Sequence, residues 1–205
     1  RSRNVFLLVI AILAVAFGVL MVILIYRSMD HRRSLEILAT TDELTGLYNR
    51  RYILAHLKKQ ISQSERYKSD LCVAMIDLDW FKQINDRFGH LTGDKVLRLF
   101  SKYCLKNLRS SDVIGRIGGE EFLIILPHTN SSDAYAVMDK VRSNMDNLTK
   151  EINISDLKVT VSIGLCKWVD GDLPEDVMLF ADKALYQIKG SGRDQVLLWD
   201  RDKEL

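Results

Sequence analysis

LCVAMIDLDWFKQINDRFGH, residues 71–90, is the stretch on which the fold of this chain turns. Its first part is a continuous apolar run that stops abruptly at two carboxylates, Asp77 and Asp79. Such a run reads as a strand buried on both faces, ending at the rim of a sheet. A short helix is predicted from Trp80 to Arg87 and is broken by Gly89. A second helix, from Gly93 to Leu108, carries Val96, Leu97, Phe100, Tyr103 and Cys104 on its apolar side.

Outward from this stretch, TDELTGLYNRR (41–51) reads as a capped turn, and Tyr52 to Arg66 as an amphipathic helix. On the other side, Asp112–Ile117 and Glu121–Leu126 flank Gly118-Gly119 as a β-hairpin. Ser132–Leu148 is helical in pattern, and KVTVSIGLCKW (158–168) alternates as a strand should. Glu175–Lys189 is a helix closed by Gly190 and Gly192, and QVLLW (195–199) is a last strand. The order implies an α+β fold, helices covering a mostly antiparallel sheet, with a core resembling the ferredoxin-like βαββαβ arrangement.

The chain has 205 residues, enough for one mid-sized domain and an appendage. Val5 to Tyr26 contains no charged residue, and a helix of that length spans about 33 Å, enough to cross a membrane. The run is longer than a signal-peptide core and no small-residue cleavage site follows, so an N-terminal transmembrane helix is expected. Arg1 and Arg3 precede it; Arg27, Arg32 and Arg33 follow it, which leans toward a cytoplasmic C-terminal side. The expected division is residues 1–26 as the span with its flank, 27–41 as a helical connector, 42–200 as the domain and 201–205 as a tail. Because the chain starts at Arg1, a fragment or processed product is expected, with material upstream.

Cys72, Cys104 and Cys166 fit no zinc spacing and read as free thiols in apolar surroundings, suited to a reducing compartment. A net charge of +2 gives no footprint for nucleic acid.

Three features point to phosphate and metal chemistry. Asp77 and Asp79 end a buried strand beside a helix start, a place for a hard divalent cation, although Asp79 also suits helix capping. Gly118-Gly119-Glu120-Glu121-Phe122 puts adjacent acids on a hairpin whose glycines permit close approach or positive φ. Lys82, Lys189 and Arg193 are placed to meet phosphate. No P-loop, EF-hand, dinucleotide fingerprint or nucleophilic triad motif is present.

Together, DELTGLYNRR (42–51), DLDWFKQINDRFGHLTGD (77–94), RIGGEEF (116–122), VTVSIG (159–164) and ADKALYQIKGSGRD (181–194) resemble the GGDEF family of diguanylate cyclases. The resemblance implies a nucleotidyl cyclase or polymerase-palm type of fold. It also implies condensation of two GTP into cyclic di-GMP with release of two pyrophosphates, by a homodimer of facing domains. By motif position Asp77, the Leu78 carbonyl and Glu120 would bind two Mg²⁺ or Mn²⁺ ions. Glu120 and Lys82 would be catalytic. Asn85, His90, Asp94, Gly118, Gly119, Glu121, Lys189 and Arg193 would contact the substrate. Arg109-Ser110-Ser111-Asp112 resembles the family's inhibitory site for cyclic di-GMP; a surface ion pair is the plainer alternative. Glu120 replaces the Asp of the family name, a GGEEF form the family accepts.

These expectations place the enzyme at a bacterial inner membrane, held there by residues 5–26, with the domain facing the cytoplasm and no nucleic acid bound. The competing readings are a catalytically silent domain that binds GTP or cyclic di-GMP, and a related cyclase making another cyclic nucleotide.

Overall fold

The computed structural model describes residues 17–21, 24, 27, 40–152, 154 and 156–201. The chain divides into two compact units, Arg1–Thr40 and Thr41–Leu205. In the first, Phe17–Met21, Leu24 and Arg27 are helical and exposed. The rest of the expected span over 5–26, most of the connector over 27–41 and tail residues 202–205 lie outside the described residues. Among the described residues no helix is long and apolar enough to cross a membrane.

The second unit is built on LCVAMIDL, which forms strand β2 (Leu71–Leu78), buried at all eight positions. The remaining strands are β1 (Tyr48–Asn49), β3 (Val113–Arg116), β4 (Glu121–Pro127), β5 (Val161–Lys167) and β6 (Val196–Leu198). They form one six-stranded sheet in the order β1-β3-β4-β2-β5-β6. The four inner strands reproduce the ferredoxin-like order, with β2 between antiparallel β4 and β5. The sheet is mixed, because β1 pairs with β3 and β6 with β5 in parallel.

Alternation along β2 explains the two helical layers. Cys72, Ala74, Ile76 and Leu78 enter one cluster with Phe81, Val96, Leu97 and Phe100. These come from helices α2 (Phe81–Phe88) and α3 (His90–Asn107). Leu71, Val73 and Met75 enter the other, with residues of α1 (Arg50–Tyr67) and α6 (Pro174–Gly190). Phe100 of α3 meets Phe122 of β4 at 4.7 Å between ring centres, seating that helix on the sheet. Asn49 caps α1, its side chain accepting from the Tyr52 N–H at 3.0 Å.

Four expectations are corrected. The two-residue β1 is too short to show a period and forms through its parallel pairing with β3, with a further bridge from Tyr48 to Thr41. The helix expected over 132–148 is two, α4 (Ser131–Ser143) and α5 (Met145–Lys150), separated at Asn144, whose side-chain amide donates to the Lys140 carbonyl. The helix expected from Gly93 starts at His90. The strand expected from Lys158 starts at Val161, although one cross-strand bond, from the Asp79 N–H to the Thr160 carbonyl, precedes it. Cys72, Cys104 and Cys166 are free and buried.

Candidate functional site

Asp77 is the last acidic residue inside β2, in register with Glu121 of β4 and Ser162 of β5. Its phase carries it to the side of the sheet covered by α6, where Lys189 donates to its Oδ2 at 2.8 Å. Burial pushes the Asp77 carboxyl above its ordinary value; the Lys189 ammonium opposes this, and the charges of Glu120 and Glu121 add to it. A buried carboxylate near two further acids favours a bound cation, and an ammonium stands beside it here.

The hairpin that brings the acids in is braced. The Leu78 N–H donates to the Glu120 carbonyl at 3.2 Å, joining the ends of β2 and the turn. Arg116 donates to the carbonyls of Gly118 and Gly119, and its Nη1 reaches both oxygens of Asp42 at 3.1 and 3.2 Å. Burial would raise the Asp42 carboxyl, but hydrogen bonds from Thr45 and Arg116 outweigh it and the net shift is downward. Neither Gly118 nor Gly119 has positive φ, contrary to one reason offered for them. A Cβ at Gly118 would come within 2.4 Å of Glu121 Oε2 and oblige that carboxylate to move, whereas one at Gly119 would meet nothing within 4 Å.

Asn85 on α2 and Asp94 on α3 follow β2 in sequence. Gly93 lets the two helices close: a Cβ there would lie 2.0 Å from Asn85 Oδ1. Asp94 stands 3.9 Å from Arg98, one turn on. His90 is exposed at the start of α3. Lys82 is exposed in the first turn of α2 and has no ion pair among the described residues. Arg193 lies over the Trp80 ring, 3.8 Å from its centroid.

Arg109 and Asp112 stand apart from these, in the loop between α3 and β3, on a groove of about 630 Å³ also lined by Thr41, Tyr48, Leu105 and Leu108. They make no ion pair with each other. Instead Asp112 Oδ2 accepts the Arg109 N–H at 2.9 Å, and the Asp112 N–H donates to the Arg109 carbonyl.

Among the described residues no three His, Cys, Asp or Glu side chains are close enough together to hold an ion. The expected set is smaller: two carboxylates, Asp77 and Glu120, and a backbone carbonyl. All are hard oxygen donors, which is what Mg²⁺ or Mn²⁺ takes. The residues fit such an ion.

Sequence reasoning passed over Arg116, Asp42 and the role of Asp79. Asp79 does not cap α2, whose N-cap is Trp80 without a side-chain cap bond. It is 2% exposed and accepts from Thr160 Oγ1, Ser162 Oγ and the Asp194 N–H. The residues lay inside motif blocks already singled out, but their pairing across 74 to 115 positions left no local signal.

The central carboxylate, the glycine hairpin and the mixed sheet define a palm-type α+β domain of the GGDEF kind. The chain matches the family described as "Diguanylate cyclase, GGDEF domain" over residues 39–195, and it belongs to that family. It is 40% identical to the response regulator PleD of Caulobacter vibrioides over 173 residues, covering 83% of this chain and 37% of PleD. The chain thus spans well under half the length of that relative. Among solved structures, the coiled coil and GGDEF domain of DgcB from Caulobacter crescentus, in complex with c-di-GMP, superposes with a TM-score of 0.78 at 29% identity. That match covers 85% of this chain and 93% of the other. The active GGEEF domain of a diguanylate cyclase from Vibrio cholerae matches with a TM-score of 0.69 at 29% identity, over 75% of this chain and 97% of that one.

Proposed function

We propose that this chain is a diguanylate cyclase that condenses two GTP into cyclic di-GMP. The observation that carries the reading is the meeting of Asp77, Lys189 and the Glu120–Glu121 hairpin at one end of the central strand. The ribose 3′-oxygen of one GTP forms a bond to the α-phosphorus of the other, and the bond from that phosphorus to the α,β-bridging oxygen breaks. Pyrophosphate leaves, the hydroxyl proton passes to the Glu120 carboxylate, and a second such step closes the ring. Asp77, the Leu78 carbonyl and Glu120 would hold two Mg²⁺ or Mn²⁺ ions. When bound, these supply charge neutralisation for the triphosphate.

Every other step belongs to the chain's own groups. Lys82, Lys189 and Arg193 neutralise phosphate charge, and Lys82 stabilises the charge that develops at transfer. Asn85 and Asp94 bond the guanine edge, His90 lies nearby, and Gly118, Gly119 and Glu121 form the wall against guanine and ribose. The open space at Gly119 supports this, since nothing in the chain itself requires a glycine there.

A domain that holds one GTP cannot close a two-nucleotide ring, so two domains must face each other as a homodimer. We also assign Arg109 and Asp112 to a cyclic di-GMP inhibitory site. The groove beside them, and an Arg109 side chain that makes no ion pair among the described residues, support it. The uncharged run Val5–Tyr26 supports a membrane anchor with the domain on the cytoplasmic side of a bacterial inner membrane. Glu120 in place of Asp is consistent with activity, the Vibrio cholerae domain being a GGEEF form.

The test is turnover of GTP by the purified chain with Mg²⁺, products separated, with Glu120→Gln alongside. Cyclic di-GMP from the unsubstituted chain and none from the variant is the expected result. Specific binding of GTP or cyclic di-GMP without product, even at high protein concentration, would replace the enzyme with a silent nucleotide-binding domain.

A further inference from the structure

The loop after α6 departs from an ordinary chain reversal at three consecutive residues. Gly192 has φ +114, which a glycine adopts freely. The next two residues, Arg193 and Asp194, also have positive φ, 64° and 49°, although neither is glycine. Opposite them, Trp80 has φ 58° as well. Non-glycine residues in the left-handed region are uncommon and persist only where surrounding contacts hold them.

Those contacts converge on Asp79. Its Oδ2 accepts the Asp194 N–H at 3.1 Å and the Thr160 hydroxyl at 2.7 Å; its Oδ1 accepts the Ser162 hydroxyl at 2.7 Å. Its own N–H donates to the Thr160 carbonyl. The loop is also held from α4, where Arg142 pairs with Asp194 Oδ1 at 3.0 Å. From α6, the Ile188 carbonyl receives the Arg193 N–H. The outcome is that the Arg193 guanidinium carbon stands 3.8 Å from the centre of an indole that is 53% exposed and packs into no core. A solvent-facing tryptophan in a strained conformation has no use in burying the sheet.

We propose that Asp79 and Trp80 are positioning residues that hold Arg193 at the phosphate end of the site. Asp79 anchors the loop through the Asp194 amide, and the Trp80 ring fixes the plane of the guanidinium, so the fork meets phosphate oxygens without first being ordered. The proposal rests on the phosphate role given to Arg193 above.

The experiment is calorimetric titration of the 205-residue chain with the α,β-methylene analogue of GTP, whose α-phosphorus has no oxygen leaving group, and with guanosine. Both are run with Mg²⁺. Trp80→Ala is expected to weaken the analogue about two- to five-fold, as loss of an exposed cation–π contact does, and to leave guanosine unchanged. Asp79→Ala is expected to weaken the analogue roughly ten-fold, with Thr160→Val following it in part. Asp79→Asn should recover most of the loss, because its carbonyl oxygen can replace Oδ2 while its amide donates to Ser162 Oγ. In an Arg193→Ala background the Asp79 and Trp80 substitutions should have no further effect on the analogue. Losses that fall equally on guanosine, or that persist undiminished without Arg193, would mark Asp79 and Trp80 as purely structural and overturn the proposal. If Asp79→Ala does not fold, Trp80→Ala and Thr160→Val carry the same two outcomes. The cyclase reading fails separately, by absence of cyclic product from GTP, and leaves these affinities to be read on their own.

Discussion

Asp77 sits where ionisation works against folding. Burial raises its carboxyl above the ordinary value of 3.8, so ionising it costs more in the native chain than in the unfolded one, even with Lys189 beside it. Its contribution to stability is therefore full below the unfolded value and is lost as pH rises through the higher native value. Asp77→Asn should then melt at a higher temperature than the unsubstituted chain at pH 7 without divalent cations. The gain should disappear as the pH falls below about 4, the range of the unperturbed Asp carboxyl. Calorimetry across that range checks it, and the same variant should lose GTP turnover. Lys189, about one third exposed, can return to water when its partner is neutralised. Gly93 gives a second residue-scale outcome. A methyl group 2.0 Å from Asn85 Oδ1 must displace that side chain. Gly93→Ala should therefore raise the KM for GTP roughly ten-fold, as loss of a hydrogen bond to substrate does, with a smaller change in kcat.

The hairpin between β3 and β4 keeps its shape through Arg116, which is 15% exposed and spans the turn carbonyls and Asp42. Arg116→Ala should cost about 2 kcal/mol in denaturant unfolding, the scale of hydrogen bonds to a charged group. It should also reduce turnover, because Glu120 loses its bracing. The Asp42 side of this pair has the opposite pH sign from Asp77. Its native value is lowered, so its contribution is present above 3.8 and is lost as pH falls through the lower native value. At the same scale, α3 depends on Phe100, fully buried against Phe122. Phe100→Ala should cost about 3–5 kcal/mol by the same measurement.

For the whole molecule, the two-site chemistry has a kinetic signature. If each ring needs two facing domains, turnover per chain should rise with protein concentration until the dimer saturates, and a forced dimer should abolish that dependence. Arg109→Ala should leave the initial rate unchanged and relieve inhibition by added cyclic di-GMP, since Arg109 lies on a groove away from Asp77 and Lys189. Progress curves with and without added product read both outcomes.

The α+β class, the central strand and the helices that follow it were legible in the sequence because their hydrophobic periods are local. Asp77, the glycine hairpin and Lys189 were legible for the same reason, each standing at a recognisable break in such a period. What the sequence could not contain was pairing over distance. The β1 strand needs β3 to exist, and Arg116 needs Asp42, 74 positions away. Asp79 shows the difference most sharply. Locally it is an acid before a helix, and capping is the reasonable reading. In the folded chain β5 with the residue before it, and the loop after α6, bring Ser162, Thr160 and Asp194 to it, and it becomes a buried anchor. A carboxylate bonds whichever donors the tertiary fold brings within reach, and those donors are set by sheet register, not by neighbours in sequence.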